Sequence, residues 1–236
     1  MSQVWEDIAF LHWRVDASLL QPLMPDGARP DLHDGSGWVG LLPFRMRGAG
    51  FGDGPAIPWF GTFWETNVRV YSTDARGRRG VVFLSLEAQR LAVVLGARLS
   101  LGVPYFWSRM SGDQTSRATM HYRTRRLTCC AEAPPGSRID LRVGRPITKP
   151  GATARFLSAR FGLHTQVAGR GVWVPNTHRP WPLRRAEVTG LHDELIVATG
   201  LPDLPAERAP DHVMFSRGVR TQFGRPQLTC PATGGR

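Results

Sequence analysis

The sequence predicts an α+β fold that is predominantly antiparallel β, a barrel or sandwich with a few helices. Three observations carry this. Apolar runs are short and mostly repeat with a period near two. The 26 glycines and 19 prolines are spread along all 236 residues, so turns recur throughout and no linker stands out. No glycine-rich phosphate loop follows any strand, which argues against a doubly wound parallel sheet. With 42% hydrophobic and 21% charged residues the chain has the composition of a folded globular protein, and a single domain over 1–236 is expected.

In chain order, alternation predicts strands at Gly37–Met46, Thr62–Thr73, Gly80–Leu86, Ser116–Thr128, Arg138–Val143, Leu163–Ala168, Gly171–Val174 and His212–Phe223. Asp74–Arg79, with Gly77, reads as a hairpin turn. A helix is predicted over Glu87–Ser100, where Ala88, Leu91, Ala92, Leu95 and Leu99 share a face before Gly102 and Pro104. Shorter helices are expected at Ala152–Arg160, after Pro150 and Gly151, and at Asp193–Thr199, before Gly200 and Pro202.

The charge is +11, from 30 basic against 19 acidic residues, but only Lys149 is a lysine. Arginine does not lose its proton, so a mechanism that needs a free amine has one candidate side chain. Cys129, Cys130 and Cys230 form no disulfide framework and no zinc spacing, and the histidines show neither HxH nor HExxH, so no metal is predicted. The first fifteen residues lack a basic segment followed by an apolar one, and Leu91–Val103 is interrupted by Arg98. Together these predict a cytoplasmic protein without a membrane span.

The most informative segment is Thr62–Tyr71. On a strand, Trp64, Thr66, Val68 and Val70 share one face, while Phe63, Glu65, Asn67, Arg69 and Tyr71 share the other. The second face sets an acid, an amide and a guanidinium between two aromatics, as expected where a sheet lines a cleft. Its bland alternative is a solvated face. If enclosed, Glu65 is a candidate acid or base and Arg69 a candidate carboxylate clamp, with Asn67 between them.

Leu101–Met110 follows with three consecutive aromatics, and alternation groups Tyr105, Trp107 and Arg109. Asn176–Leu183 reads as a loop or strand entry by its two prolines and contributes His178 and Trp181 as further ligand-binding candidates. Arginine ladders occur at Arg117, Arg123 and Arg125 with His121, and at Arg138, Arg142 and Arg145. They contain no aromatics and match no nucleic-acid reading module, so they read as solvated strand faces and specific nucleic-acid binding is disfavoured.

Six ordered blocks resemble the domain-of-unknown-function family 2071, the YqjF-like family. They are Phe10–Val15, Gly37–Met46, Phe63–Tyr71, Gly80–Leu86, Gly102–Met110 and Arg179–Leu183. The resemblance implies an acetoacetate decarboxylase-like β-barrel that encloses a small-molecule cavity. In those decarboxylases a glycine–proline–lysine segment supplies a Schiff-base lysine. The corresponding segment here is Gly102-Val-Pro-Tyr105, so Tyr105 stands where the lysine would, and a phenol cannot form an iminium.

The reading that follows is a small-molecule-binding barrel without external cofactor. It is a lysine-independent lyase, dehydratase or cyclase for a carbonyl or organic-acid compound, with Glu65 and Tyr105 catalytic and Asn67, Arg69, Arg109, His178 and Trp181 binding substrate. The alternative is a non-catalytic ligand sensor that uses the same cavity. A homodimer is the base-rate expectation.

Overall fold

The computed structural model describes residues 2–48, 61–91, 102–116, 118–127 and 133–229. Among them thirteen strands join in one sheet: β1 (Ser2–Val15), β2 (Ala28–Pro30), β3 (Gly37–Arg47), β4 (Phe63–Asp74), β5 (Arg79–Ala88), β6 (Tyr105–Ser116), β7 (Thr119–Arg126), β8 (Gly136–Pro146), β9 (Gly162–Val167), β10 (Arg170–His178), β11 (Leu183–Asp193), β12 (His212–Phe223) and β13 (Gln227–Leu228). Three short α-helices accompany them: α1 (Ala17–Leu20), α2 (Ala152–Ser158) and α3 (Leu204–Glu207).

The neighbour order is β13-β10-β9-β5-β6-β7-β8-β11-β12-β1-β3-β4-β2, with β10 also paired to β12 and β5 to β4. Most pairs are antiparallel, and β5 runs parallel to both β6 and β9. The extra pairings return the sheet on itself twice. One circuit runs β5-β6-β7-β8-β11-β12-β1-β3-β4 and back to β5, the other β10-β9-β5-β4-β3-β1-β12 and back to β10.

Two hydrophobic cores form among the described residues. Trp5, Phe10, Trp38, Phe44, Phe63 and Tyr71 belong to one cluster, with Phe156 and Leu157 of α2. Leu11, Trp13, Val39, Val68, Val70, Tyr122 and Phe215 belong to the other. Successive residues of a strand point to opposite faces, so the shared strands β1, β3, β4, β5 and β12 contribute side chains to both cores. Few glycines decide the close packing. β5 meets β9 at a single pair, Val81 with Leu163, and Gly80 and Gly162 flank it because a Cβ on either would strike the Trp173 ring.

The predicted strands over 37–46, 62–73, 80–86, 138–143, 163–168 and 212–223 coincide with observed ones within a few residues. In the segment predicted as one strand from Ser116, Ser116 ends β6 and Thr119–Arg126 forms β7, while Arg117 and Thr128 lie outside the described residues. Two expectations are corrected. Glu87 and Ala88 do not begin a helix but end β5, and Ala92–Ser100 lies outside the described residues. Asp193 closes β11 and its carboxylate accepts the Ile196 N–H at 3.0 Å, leaving only a 3₁₀ turn at Val197–Thr199. Asn176–Leu183, expected as a loop or strand entry, ends β10 at His178 and enters β11 at Leu183.

Candidate functional site

Strand β4 turns its polar row inward. Glu65, Asn67 and Arg69 are 3%, 1% and 5% exposed, and Phe63 and Tyr71 on the same face join the core that contains α2. The solvated alternative for this face is thereby excluded.

Glu65 accepts a hydrogen bond from the Tyr105 hydroxyl at 3.0 Å through Oε2. Burial pushes its carboxyl up to about 8, against which the Tyr105 bond works only partly. At neutral pH Glu65 is therefore a neutral carboxylic acid, a group that donates a hydrogen bond as well as accepting one. Burial and the neighbouring Glu65 also push the Tyr105 phenol well above its ordinary value, so Tyr105 stays protonated.

Asn67 lies between Glu65 and Arg69, with about 6.6 Å of strand rise to each. Among the described residues neither its Oδ1 nor its Nδ2, both buried, has a hydrogen-bond partner, and no other buried side chain there leaves two such atoms. An unpartnered buried amide costs about 1–3 kcal/mol.

Arg69 donates through Nε and Nη2 to the Tyr71 hydroxyl at 3.4 and 3.2 Å, and through Nη2 to the Leu157 carbonyl at 3.1 Å. Tyr71 donates to the same carbonyl at 3.1 Å, and its oxygen lies 2.6 Å from His12 Nε2. Desolvation and the Arg69 charge hold His12 well below its usual range, so His12 is neutral and the cluster keeps its positive charge. Arg69 forms no ion pair among the described residues. Nearby Arg160 does, with Asp31, and its guanidinium stacks 4.8 Å from the Tyr71 ring centre.

Arg69 opens onto a cavity of about 20 Å³ whose wall includes Trp5, Arg160, Asn176, His178 and Trp181. Among the described residues Trp5 Nε1 and Arg160 Nη2 are buried without hydrogen-bond partners, so the wall offers N–H donors to an anion beside a cation that lacks a carboxylate, while the equally unpartnered Asn176 Oδ1 is an acceptor. His178 stacks between Phe161 and Trp181. Its two ring nitrogens face the Arg179 and Arg160 carbonyls at 2.8 and 3.1 Å, so neither is left to exchange a proton with a ligand.

The expected residues therefore divide. Arg69, His178 and Trp181 meet at one cavity, Glu65 and Tyr105 meet each other, and Asn67 lies between the two groups. Arg109 does not join them. β6 runs beside β5 only at Tyr105, Phe106 and Trp107, and beyond that point Trp107 and Arg109 face outward.

Sequence reasoning missed Trp5, His12, Arg160 and Asn176, none of which carries a motif. It also missed a second buried polar group on the other core. There Arg126 Nη2 reaches Glu87 Oε1 at 2.6 Å, the Ser85 and Ser108 hydroxyls donate to Glu87 at 2.5 and 2.6 Å, and Phe106 stacks on the Arg126 guanidinium at 3.6 Å. Both Glu87 oxygens are engaged, so this group braces β5 against β6 and β7. Among the described residues no set of three or more His, Cys, Asp or Glu is placed to hold a metal, and no helix is long and apolar enough to cross a membrane.

A family model for an uncharacterised conserved protein, domain of unknown function 2071, matches residues 2–220. The uncharacterised protein YqjF of Bacillus subtilis (strain 168) is 32% identical over 192 residues, spanning 79% of this chain and 76% of that one. Solved structures share the fold at lower identity. Acetoacetate decarboxylase from Legionella pneumophila superposes with a TM-score of 0.65 at 14% identity, covering 98% of this chain and 87% of that chain. The enduracididine biosynthesis enzyme MppR complexed with pyruvate gives 0.61 at 15%, covering 98% and 90%. An acetoacetate decarboxylase-like enzyme from Sphingomonas wittichii RW1 gives 0.60 at 15%, covering 98% and 93%.

Proposed function

Since the chain belongs to the YqjF-like domain-of-unknown-function 2071 family and has an acetoacetate decarboxylase-like fold, we propose that it is a lysine-independent, lyase-like enzyme acting on a small carbonyl compound that carries a carboxylate. The observation that carries this reading is the buried row on β4: a neutral Glu65, an Asn67 amide with both polar atoms unpartnered, and an Arg69 cation with no carboxylate. In this reading the two closed circuits are barrels that share a wall, and the ligand enters the one that contains Arg69.

Each residue has a part that its environment suits. Arg69, helped by the Trp5 and Arg160 N–H groups, holds the carboxylate, because a buried guanidinium binds such a group with charge-assisted hydrogen bonds. Asn67 orients the carbonyl. Glu65, protonated and aligned by Tyr105, donates a hydrogen bond to the carbonyl oxygen; as solvent water takes the proton from the adjacent carbon, negative charge moves onto that oxygen and is held there as the enolate, until water returns a proton to the carbon. Trp181 and His178 supply the wall. That MppR has been seen with pyruvate supports a short 2-oxo acid as the first ligand to try.

The test is proton exchange at the carbon beside the carbonyl of 2-oxo and 3-oxo acids, followed by NMR in deuterated water, together with calorimetric binding. Glu65→Gln and Tyr105→Phe should each lower exchange by about 10²–10⁴-fold and leave binding within a few-fold. Arg69→Met should weaken acids by about 10–100-fold and spare their uncharged analogues. Binding without exchange in the wild type would identify a ligand sensor instead, and unchanged exchange in both Glu65→Gln and Tyr105→Phe ends the proposal.

A further inference from the structure

The outward face of β6, β7 and β8 gathers Arg109 with Arg123, Arg125 and Arg138 of the two arginine ladders into one patch. Arg109 on β6 lies directly opposite Arg125 on β7, and Arg123 on β7 directly opposite Arg138 on β8. All four are exposed. Directly opposed residues have Cβ atoms about 4.5–5.5 Å apart, and like charges placed so are destabilising. Along β7, Arg123 and Arg125 are separated by about 6.6 Å of rise. Among the described residues Asp113 on β6 and Asp140 on β8, which holds His121 at 2.6 Å and Arg138 at 3.1 Å, stand at one end, and Glu194 stands beside Gly136, the residue opposite Arg125, and accepts its N–H at 2.9 Å. Arg109, Arg123 and Arg125 form no ion pair among the described residues. At the opposite end Trp107 is 42% and Leu127 37% exposed, and the Leu127 N–H bonds the Trp107 carbonyl at 2.8 Å, so both border the arginines.

We propose that this face binds single-stranded nucleic acid without sequence preference. Several fixed guanidinium groups at short intervals suit a chain of phosphates. An exposed tryptophan at the rim suits an unstacked base, a combination found where single strands are held. Each ladder alone lacks an aromatic, and only the strand register brings Trp107 to them. A second copy of a chain this basic would be repelled from the patch. The proposal is independent of the cavity and its chemistry.

The test is fluorescence anisotropy of a labelled oligothymidylate against the full chain between about 50 and 200 mM salt. Substituting Arg109→Gln, Arg123→Gln and Arg125→Gln together should weaken binding by about tenfold or more and flatten the logarithmic salt slope by about two, since each phosphate contact contributes about 0.7. The charge-matched set Arg29→Gln, Arg45→Gln and Arg170→Gln, exposed positions on other strands, should change it by less than about twofold. Trp107→Ala should cost about five- to tenfold with the salt slope intact. Equal losses in the two triple variants would reduce the effect to net charge and overturn the proposal. So would no binding by the wild type at low salt, or tighter binding of polyglutamate or of phosphatidylserine vesicles than of the oligonucleotide.

Discussion

Glu65 is destabilising as an anion, and this makes it visible in the pH dependence of folding. Its carboxyl titrates near 4.5 when unfolded and about 8 when folded. Between those values the unfolded chain has released a proton that the folded chain keeps, so stability falls as pH rises and levels off above about 8. Glu65→Gln should remove that decline, by a few kcal/mol across the window, when chemical denaturation is compared at pH 5 and pH 8. Equal slopes in the two proteins would show that Glu65 is not neutral in the fold. Glu87 is held differently. It is as deeply buried, yet Arg126 and two hydroxyls satisfy it. Glu87→Gln leaves the guanidinium uncompensated and should destabilise by about 3–5 kcal/mol, read as a lowered denaturation midpoint. The difference between the two acids was only half legible in the sequence. Alternation within Thr62–Tyr71 placed Glu65 beside Asn67 and Arg69 correctly, because β4 is regular there. Glu87 fits a helical pattern with Leu91 and Leu95, and nothing local reveals that Arg126, 39 residues away, is its partner.

At the scale of elements, legibility followed how many faces a strand buries. β12 was read to the residue, and β3 and β4 nearly so, because charged or turn residues bound them. β1 was not read as a strand. Ile8 and Phe10 enter one core while Ala9, Leu11 and Trp13 enter the other, so its middle is apolar throughout and shows no period of two. β11 was missed for another reason. Its register against β8 shifts twice, at Arg184/Ala186 and Val188/Gly190, which breaks the alternation that a strand should show. Two glycines at element junctions give opposite predictions. Gly162→Ala drives a methyl into Trp173 at the one point where β5 meets β9 and should destabilise by about 1–3 kcal/mol. Gly151 caps α2 with extended backbone, makes no side-chain cap, and has open space where a Cβ would stand. Gly151→Asp adds a capping acceptor at the positive helix end and should stabilise by about 0.5–1 kcal/mol. Thermal melts of the two variants should move in opposite directions.

For the whole molecule, the fold and the chemistry separate. The superposition with acetoacetate decarboxylases covers nearly the entire chain, yet the chain has a single lysine side chain. Lys149 is exposed in the turn between β8 and α2, outside the wall of the cavity that Arg69 lines. Tyr105, which the family resemblance sets where the decarboxylases carry their lysine, is tied to Glu65. The proposed function therefore has its carbonyl ligand held by hydrogen bonds and charge rather than by a covalent bond, since function lies in the site and not in the fold. This has a direct chemical consequence. Incubation with a 2-oxo acid and borohydride, which fixes an iminium as a stable amine, should leave the cavity-lining peptides at unchanged mass. Lys149→Arg should keep whatever exchange activity the wild type has. An adduct on Lys149 accompanied by loss of exchange in Lys149→Arg would mean that the chain has moved its amine to a new position, and the neutral-acid chemistry assigned to Glu65 would then have to be abandoned.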